Sequence, residues 1–253
     1  MFCFLKIVER ENTLKEKLFG RFIKDEYELK TIPVYKGAPF YKLCVTVGKR
    51  GVDWQDISRF VGKCASRLLV SDSVVIDKAW GVDKYNNPAL YSKIVQNTFV
   101  TILKQQKKTF ETLCYIDKKA MASDKLFKLV PYFNHIIVVT DNKRKYEKVC
   151  ARILDDTGLC VTMQNEIKDS AVKIDTDRNV MTIIDKSNVY NFSNGEDFNV
   201  PEVYEKLYDY SVDRLLFYSA LYEFCGVFEL ADISFNTITI NGEKKGINEL
   251  ILT

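Results

Sequence analysis

Three acidic residues stand just past apolar runs of the chain: Asp117 after "TLCYI", Asp141 after "HIIVVT" and Glu166 after "LCVTMQN". If these runs are parallel strands of one sheet, their carboxyl ends share an edge, which is where open α/β sheets bind ligands. Gln164 and Asn165 would stand at the same edge. A carboxylate placed there can hydrogen-bond the hydroxyls of a ribose, and two or three together can hold Mg²⁺ through oxygen ligands. Ser123 precedes "DKLFKLV", a short helical pattern whose first backbone N–H groups have no partner within the helix. With Lys118 and Lys119 just before it, that position suits an anion. Each reading has a competitor. Asp141 or Asn142 equally serves as the N-cap of the helix that follows, and acids at strand ends are also ordinary solvated loop residues. Asp117, Lys118, Ser123, Asp141 and Asn142 make up the candidate cofactor-binding set. The identity of the cofactor stays open, no metal site is assigned, and no residue is named as catalytic.

Other chemistries are set aside by counting. His135 is the one histidine in 253 residues, and it starts its apolar run instead of ending it. It therefore falls on the edge opposite the candidate site. A Ser-His-Asp or Cys-His arrangement lacks its base there, and a zinc centre built from several histidines is excluded. The seven cysteines, at 3, 44, 64, 114, 150, 160 and 225, are odd in number and widely spaced, with no C-x-x-C. They read as small buried hydrophobes, not as a disulfide framework or a metal site. The basic runs "KQQKK" and "NKRKYEK" lie on polar helix faces, and 37 basic against 34 acidic residues leave a net charge of only +3. A dedicated nucleic-acid protein is not expected from so weak a field.

The elements that must position the candidate residues are the best-patterned part of the chain. "FETLCYID" reads as a strand, and Ser123 caps a short helix ended by Pro131. "HIIVVT" reads as a second strand. A helix follows with Tyr146, Val149, Cys150, Ile153 and Leu154 on one face and Gly158 as its terminating residue, and "LCVTMQ" is a third strand. Strands alternating with helices at this spacing predict a parallel βαβαβ core. Over about fifty residues this order resembles the Rossmann class, in which Asp141 would meet the adenosine ribose. Lys143 and Arg144 would tolerate an added phosphate there. The class also places a G-x-G-x-x-G loop after the first strand, because glycines let the backbone approach a pyrophosphate. Here that loop is "KKAMAS", with no glycine.

The flanking segments complete an α/β fold class: a Rossmann-like core with an α+β amino-terminal portion and a carboxyl-terminal helix packing back. Residues 1–86 form the α+β portion, 87–192 the Rossmann-like domain and 193–253 the extension across both. In the first portion "MFCFLKIV" and "YKLCVTVG" are strands. Asp53 caps a helix carrying Ile57, Phe60, Val61 and Cys64, and "RLLVSDSVVID" returns as strand. Asn87–Pro88 starts the next helix. "AVKIDTDRNVMTIID" is a hairpin turning at 177–179, "FSNGEDFNVPEVY" a polar linker, and "EVYEKLYDYSVDRLLFYSALYEFCG" helical and apolar around much of its girth. The tail reads as a strand, a glycine turn and a last strand or short helix. The apolar run at the amino terminus is too short for a signal peptide, and no run is long enough to span a membrane, so a cytoplasmic location is expected. Two functional expectations follow. One is a domain binding a nucleotide-type or other small anionic ligand at the carboxyl edge of the parallel strands, in the cleft beside the amino-terminal portion. The other is a degenerate, cofactor-less scaffold acting through protein contacts, with a homodimer through the aromatic carboxyl-terminal helix.

Overall fold

The computed structural model describes residues 1–10, 25–48, 51–106, 109–166, 172–176, 180–185, 188–240 and 243–250. The chain begins with β1 (Cys3–Glu9), β2 (Glu26–Val34), β3 (Gly37–Val47), α1 (Trp54–Val61) and β4 (Leu68–Leu69). It continues with α2 (Tyr91–Gln105), β5 (Phe110–Ile116), β6 (Phe133–Val139), α3 (Lys143–Thr157), β7 (Val161–Gln164) and β8 (Val172–Asp175). Then come β9 (Val180–Asp185), β10 (Asn188–Phe198), α4 (Glu202–Glu205), α5 (Arg214–Cys225), β11 (Phe235–Ile240) and β12 (Glu243–Gly246). The fold is mixed α/β, with parallel strand pairs in both of its sheets. The contacts divide it into two compact units, Met1–Tyr91 with Val200–Ala231, and Ser92–Asn199 with Asp232–Thr253. The segment 193–253 is thus shared between the units instead of forming one extension.

In the first unit the sheet order is β2-β3-β1-β4, with β2 antiparallel to β3 and β1 parallel to both β3 and β4. One face carries a core of Leu5, Leu43, Val45, Ile57, Val61 and Leu68. Phe2 stacks on Phe40 at 4.8 Å, and Phe217 of α5 meets both rings edge-on. The α5 side chains Phe217, Tyr218, Ser219, Ala220 and Leu221 are all buried, as an all-round apolar helix requires. Gly37 follows the β2–β3 turn, and a Cβ there would sit 2.9 Å from both the Cys225 carbonyl and the Val227 side chain. Only glycine lets these backbones approach.

Three expectations change here. The helix capped by Asp53 ends at Val61, because Gly62 turns to φ +52, and Cys64 falls in the 3₁₀ turn Gly62–Arg67. Of "RLLVSDSVVID" only Leu68–Leu69 is strand. The long helical region after Pro201 is broken as well. The Asp209 carboxylate accepts from the Ser211 N–H, and Asp213 then caps a new start at α5.

The second unit holds an eight-stranded sheet in the order β12-β11-β10-β9-β8-β5-β6-β7. The four strands β8, β5, β6 and β7 pair in parallel, and β8 through β12 follow as an antiparallel meander. Leu113, Cys114 and Tyr115 on β5 and Ile136, Val138 and Val139 on β6 are essentially inaccessible, as central strands covered on both faces should be. The β6-to-β7 crossover is the expected α-helix, ended by Gly158 at φ +74 with its N–H on the Leu154 carbonyl. The β5-to-β6 crossover is two 3₁₀ turns, Ser123–Lys128 and Val130–Tyr132, and contains no α-helix. Pro131 falls inside this short connection and lacks the N–H an α-helix would need. The first part of the stretch read as a polar linker, 192–198, belongs to β10 and pairs with β11. The hairpin turn expected at 177–179 lies outside the described residues, and its arms are β8 and β9.

Candidate functional site

Asp117 ends β5 and is fully buried. One carboxylate oxygen accepts from the Met121 N–H at 2.9 Å, and the other accepts from the Ala122 N–H at 2.9 Å and the Tyr146 hydroxyl at 2.7 Å. Its own carbonyl accepts from the Ala120 N–H at 3.1 Å. The loop thereby curls back on the end of its own strand. Ala120 takes a left-handed conformation at φ +54, and its carbonyl receives the Lys145 ammonium from α3. The Tyr115 hydroxyl closes the ring by donating to the Ala122 carbonyl at 2.8 Å. Burial first, and then the Asp117 carboxylate, push the Tyr146 hydroxyl far above the ordinary tyrosine range, so it stays a donor. Backbone donors that a glycine loop would turn toward a phosphate are here turned inward onto Asp117.

The other members of the set are placed differently. Asp141 follows Thr140 at the end of β6, its side chain is exposed, and its N–H donates to the Lys118 carbonyl at 3.1 Å. Asn142, and not Asp141, caps α3, its side-chain oxygen accepting from the Lys145 N–H at 3.3 Å. The Asp141 carboxylate has no hydrogen-bond or ion-pair partner among the described residues. Ser123 is buried at the start of its 3₁₀ turn without capping it, which corrects the expected cap. Lys118 and Lys119 are exposed on the loop, and Asn165 and Glu166 are exposed beyond β7. Among the described residues no group of three His, Cys, Asp or Glu side chains is arranged to hold a metal ion. His135 lies away from this edge and shares a 2.9 Å hydrogen bond with Thr162 of β7.

A small cavity of about 20 Å³ stands near the carboxyl ends of β5 and β8. It is bounded by Ser92 and Gln96 of α2, Tyr115 of β5, Lys125 of the 3₁₀ turn, and Ile174 and Thr176 at the end of β8. The sheet order makes this a switch point: from β5 the chain runs outward through β6 and β7, then returns across β5 to form β8. Gln96 is only 9% exposed, and its amide has no hydrogen-bond partner among the described residues. The half-buried Lys125 ammonium likewise has no ion-pair or hydrogen-bond partner among them. Polar groups without a protein partner normally face water or a ligand. The volume holds one water or one ligand oxygen. Neither Gln96 nor Lys125 belongs to the sequence-derived set. The signal for Gln96 was a polar residue within "IVQNTFV", a stretch buried on more than one side.

Comparisons with protein-family models, with curated proteins and with solved structures return no match for this chain.

Proposed function

We propose that the second unit is a Rossmann-like domain that binds a small phosphorylated or carboxylated ligand. Its ligand lies at the switch point between β5 and β8, and the loop after β5 takes no part in holding it. One observation carries this reading: Gln96 and Lys125 present an amide and an ammonium, neither with a partner among the described residues, to a cavity the size of a single oxygen. The ligand places one terminal oxygen there, and Lys125 neutralises it. The exposed carboxylate of Asp141, at the end of the neighbouring strand β6, is available to hydroxyl groups of a larger ligand such as a nucleotide. No reaction and no specific cofactor are proposed.

The test is a thermal-shift panel of NAD, NADP, FAD, S-adenosylmethionine, ATP, inorganic phosphate and Mg²⁺. A ligand at about a hundred times its dissociation constant stabilises by roughly 2.7 kcal/mol. A phosphorylated ligand should shift the parent protein and lose that shift in Lys125→Met. No response to any of them defeats the reading. A response that survives Lys125→Met but falls in Asp141→Ala relocates the ligand to the end of β6.

The second reading, a cofactor-less scaffold acting through protein contacts, is favoured by the Asp117 loop, whose backbone donors are already used. It expects self-association or a protein partner. A strictly monomeric protein in light scattering counts against the homodimer.

A further inference from the structure

The first unit contains a larger cleft that the proposal above does not use. Its volume is about 470 Å³, within the roughly 300–1,000 Å³ of small-molecule sites. Leu29 of β2, Tyr41 of β3, and Phe60 and Val61 at the end of α1 form an apolar wall, and Lys63 and Arg67 of the following 3₁₀ turn border it. Leu29 is 42% and Phe60 46% exposed, so two large apolar side chains meet water in one concavity. Phe60 is held there by stacking on Tyr27, with ring centres 4.6 Å apart and planes 19° from parallel. The wall is therefore set before any ligand arrives, which reduces the ordering cost of binding.

The charge at this cleft is one-sided, for no aspartate or glutamate lines it among the described residues. Lys63 is exposed and has no ion-pair partner among the described residues. The Arg67 guanidinium lies over the Phe224 ring at 4.9 Å, which orients its plane and leaves its in-plane N–H groups to donate. It too has no carboxylate partner among the described residues. The two cations are four positions apart on one turn because Gly62, at φ +52, ends α1 and bends the chain back along the cleft.

We infer that this cleft binds a small anionic amphiphile, a single carboxylate on an aliphatic body, with Lys63 and Arg67 holding the carboxylate and Leu29, Tyr41 and Phe60 covering the chain. The apolar wall alone would admit any small hydrophobe. Two cations, with no acid beside them among the described residues, select the anion.

Titration calorimetry of the full chain with hexanoate, octanoate and decanoate, all below micelle formation, tests the inference. Affinity should rise roughly fourfold for each added methylene. Decanol, with the same body and no charge, should bind at least about tenfold more weakly than decanoate, the loss of one charge-assisted contact. Lys63→Gln with Arg67→Gln should bring decanoate down to the decanol level without moving decanol, and Phe60→Ser should weaken both. The substituted side chains are exposed, so these variants fold as the parent does, which circular dichroism checks. Absence of decanoate binding, equal binding of decanol, or decanoate binding unchanged in the double variant would each overturn the inference.

Discussion

Replacing Asp117 by asparagine keeps the shape of the side chain and removes what the loop depends on. The carboxylate accepts from the Met121 N–H, the Ala122 N–H and the Tyr146 hydroxyl. An amide has one accepting oxygen. Turned toward Ala122 and Tyr146, that oxygen keeps two bonds, now to a neutral acceptor, while its NH₂ group faces the Met121 N–H donor to donor. Hydrogen bonds to a charged group contribute about 1.5–3 kcal/mol against about 1 for a neutral pair, and an unpaired buried donor costs about 1–3 kcal/mol. Burying an amide is easier than burying a carboxylate, which returns part of the loss. The net is a destabilisation of about 3 kcal/mol. With an m-value near 2 kcal/mol/M, the urea midpoint of the transition followed by circular dichroism falls by roughly 1.5 M. Tyr146→Phe removes one of the three bonds and costs about 1.5 kcal/mol. The double variant should lose less than the sum by about 0.5–1.5 kcal/mol, because the two substitutions share a hydrogen bond. If Asp117→Asn lies within about 1 kcal/mol of the parent, or the pair is additive, the loop is not held by this carboxylate and its backbone donors are open to an external anion after all.

Three further outcomes are expected. Asn142→Ala should cost about 1 kcal/mol in urea unfolding through loss of the α3 cap, and Asp141→Ala should stay within about 0.5 kcal/mol, since its exposed carboxylate caps nothing. Gly37→Ala should destabilise by about 1–3 kcal/mol, because the added methyl meets the Cys225 carbonyl and the Val227 side chain at 2.9 Å. Partial burial acts to raise the Asp209 pKa, but the Ser211 hydroxyl and N–H with the ammonium groups of Lys42 and Lys6 outweigh it and hold it at about 2. Because the folded value lies below the unfolded one, this stability is present above about pH 4 and lost as pH falls through about 2. Discounted for solvent screening, it amounts to about 1 kcal/mol. Asp209→Asn should remove it at neutral pH and make little difference at about pH 1, below the folded value, read from paired urea titrations.

The parts of the fold legible in the sequence are those whose reasons are local. The apolar runs at 113–116 and 136–139, the α3 face of Tyr146 and Ile153, and Gly158 past its end all carry their signals within a few residues. What escaped depends on distant partners. Residues 192–198 read as a linker because nothing in them announces a strand, and they become part of β10 because β11 pairs with them. Asp117 reads as a candidate ligand because its partners are backbone groups four and five residues on and a tyrosine 29 away. Asp141 and Asn142 are adjacent and chemically alike, and only the geometry of the first turn decides which one caps. Gln96 sits in an apolar stretch, and its lack of a partner is visible only once the groups around it are placed.

The edges of the second sheet constrain how copies of this chain can meet. One edge is β7, only four residues long. The other is β12, also four residues and reading "EKKG", with its three charged side chains exposed. Short edges and clustered lysines discourage a neighbouring strand from adding on, since two β12 strands side by side would crowd their lysines. Adding a strand from another copy at either of these two edges is therefore disfavoured, and contacts on this sheet should form through side-chain surfaces, where specificity depends on shape and charge instead of on generic backbone pairing.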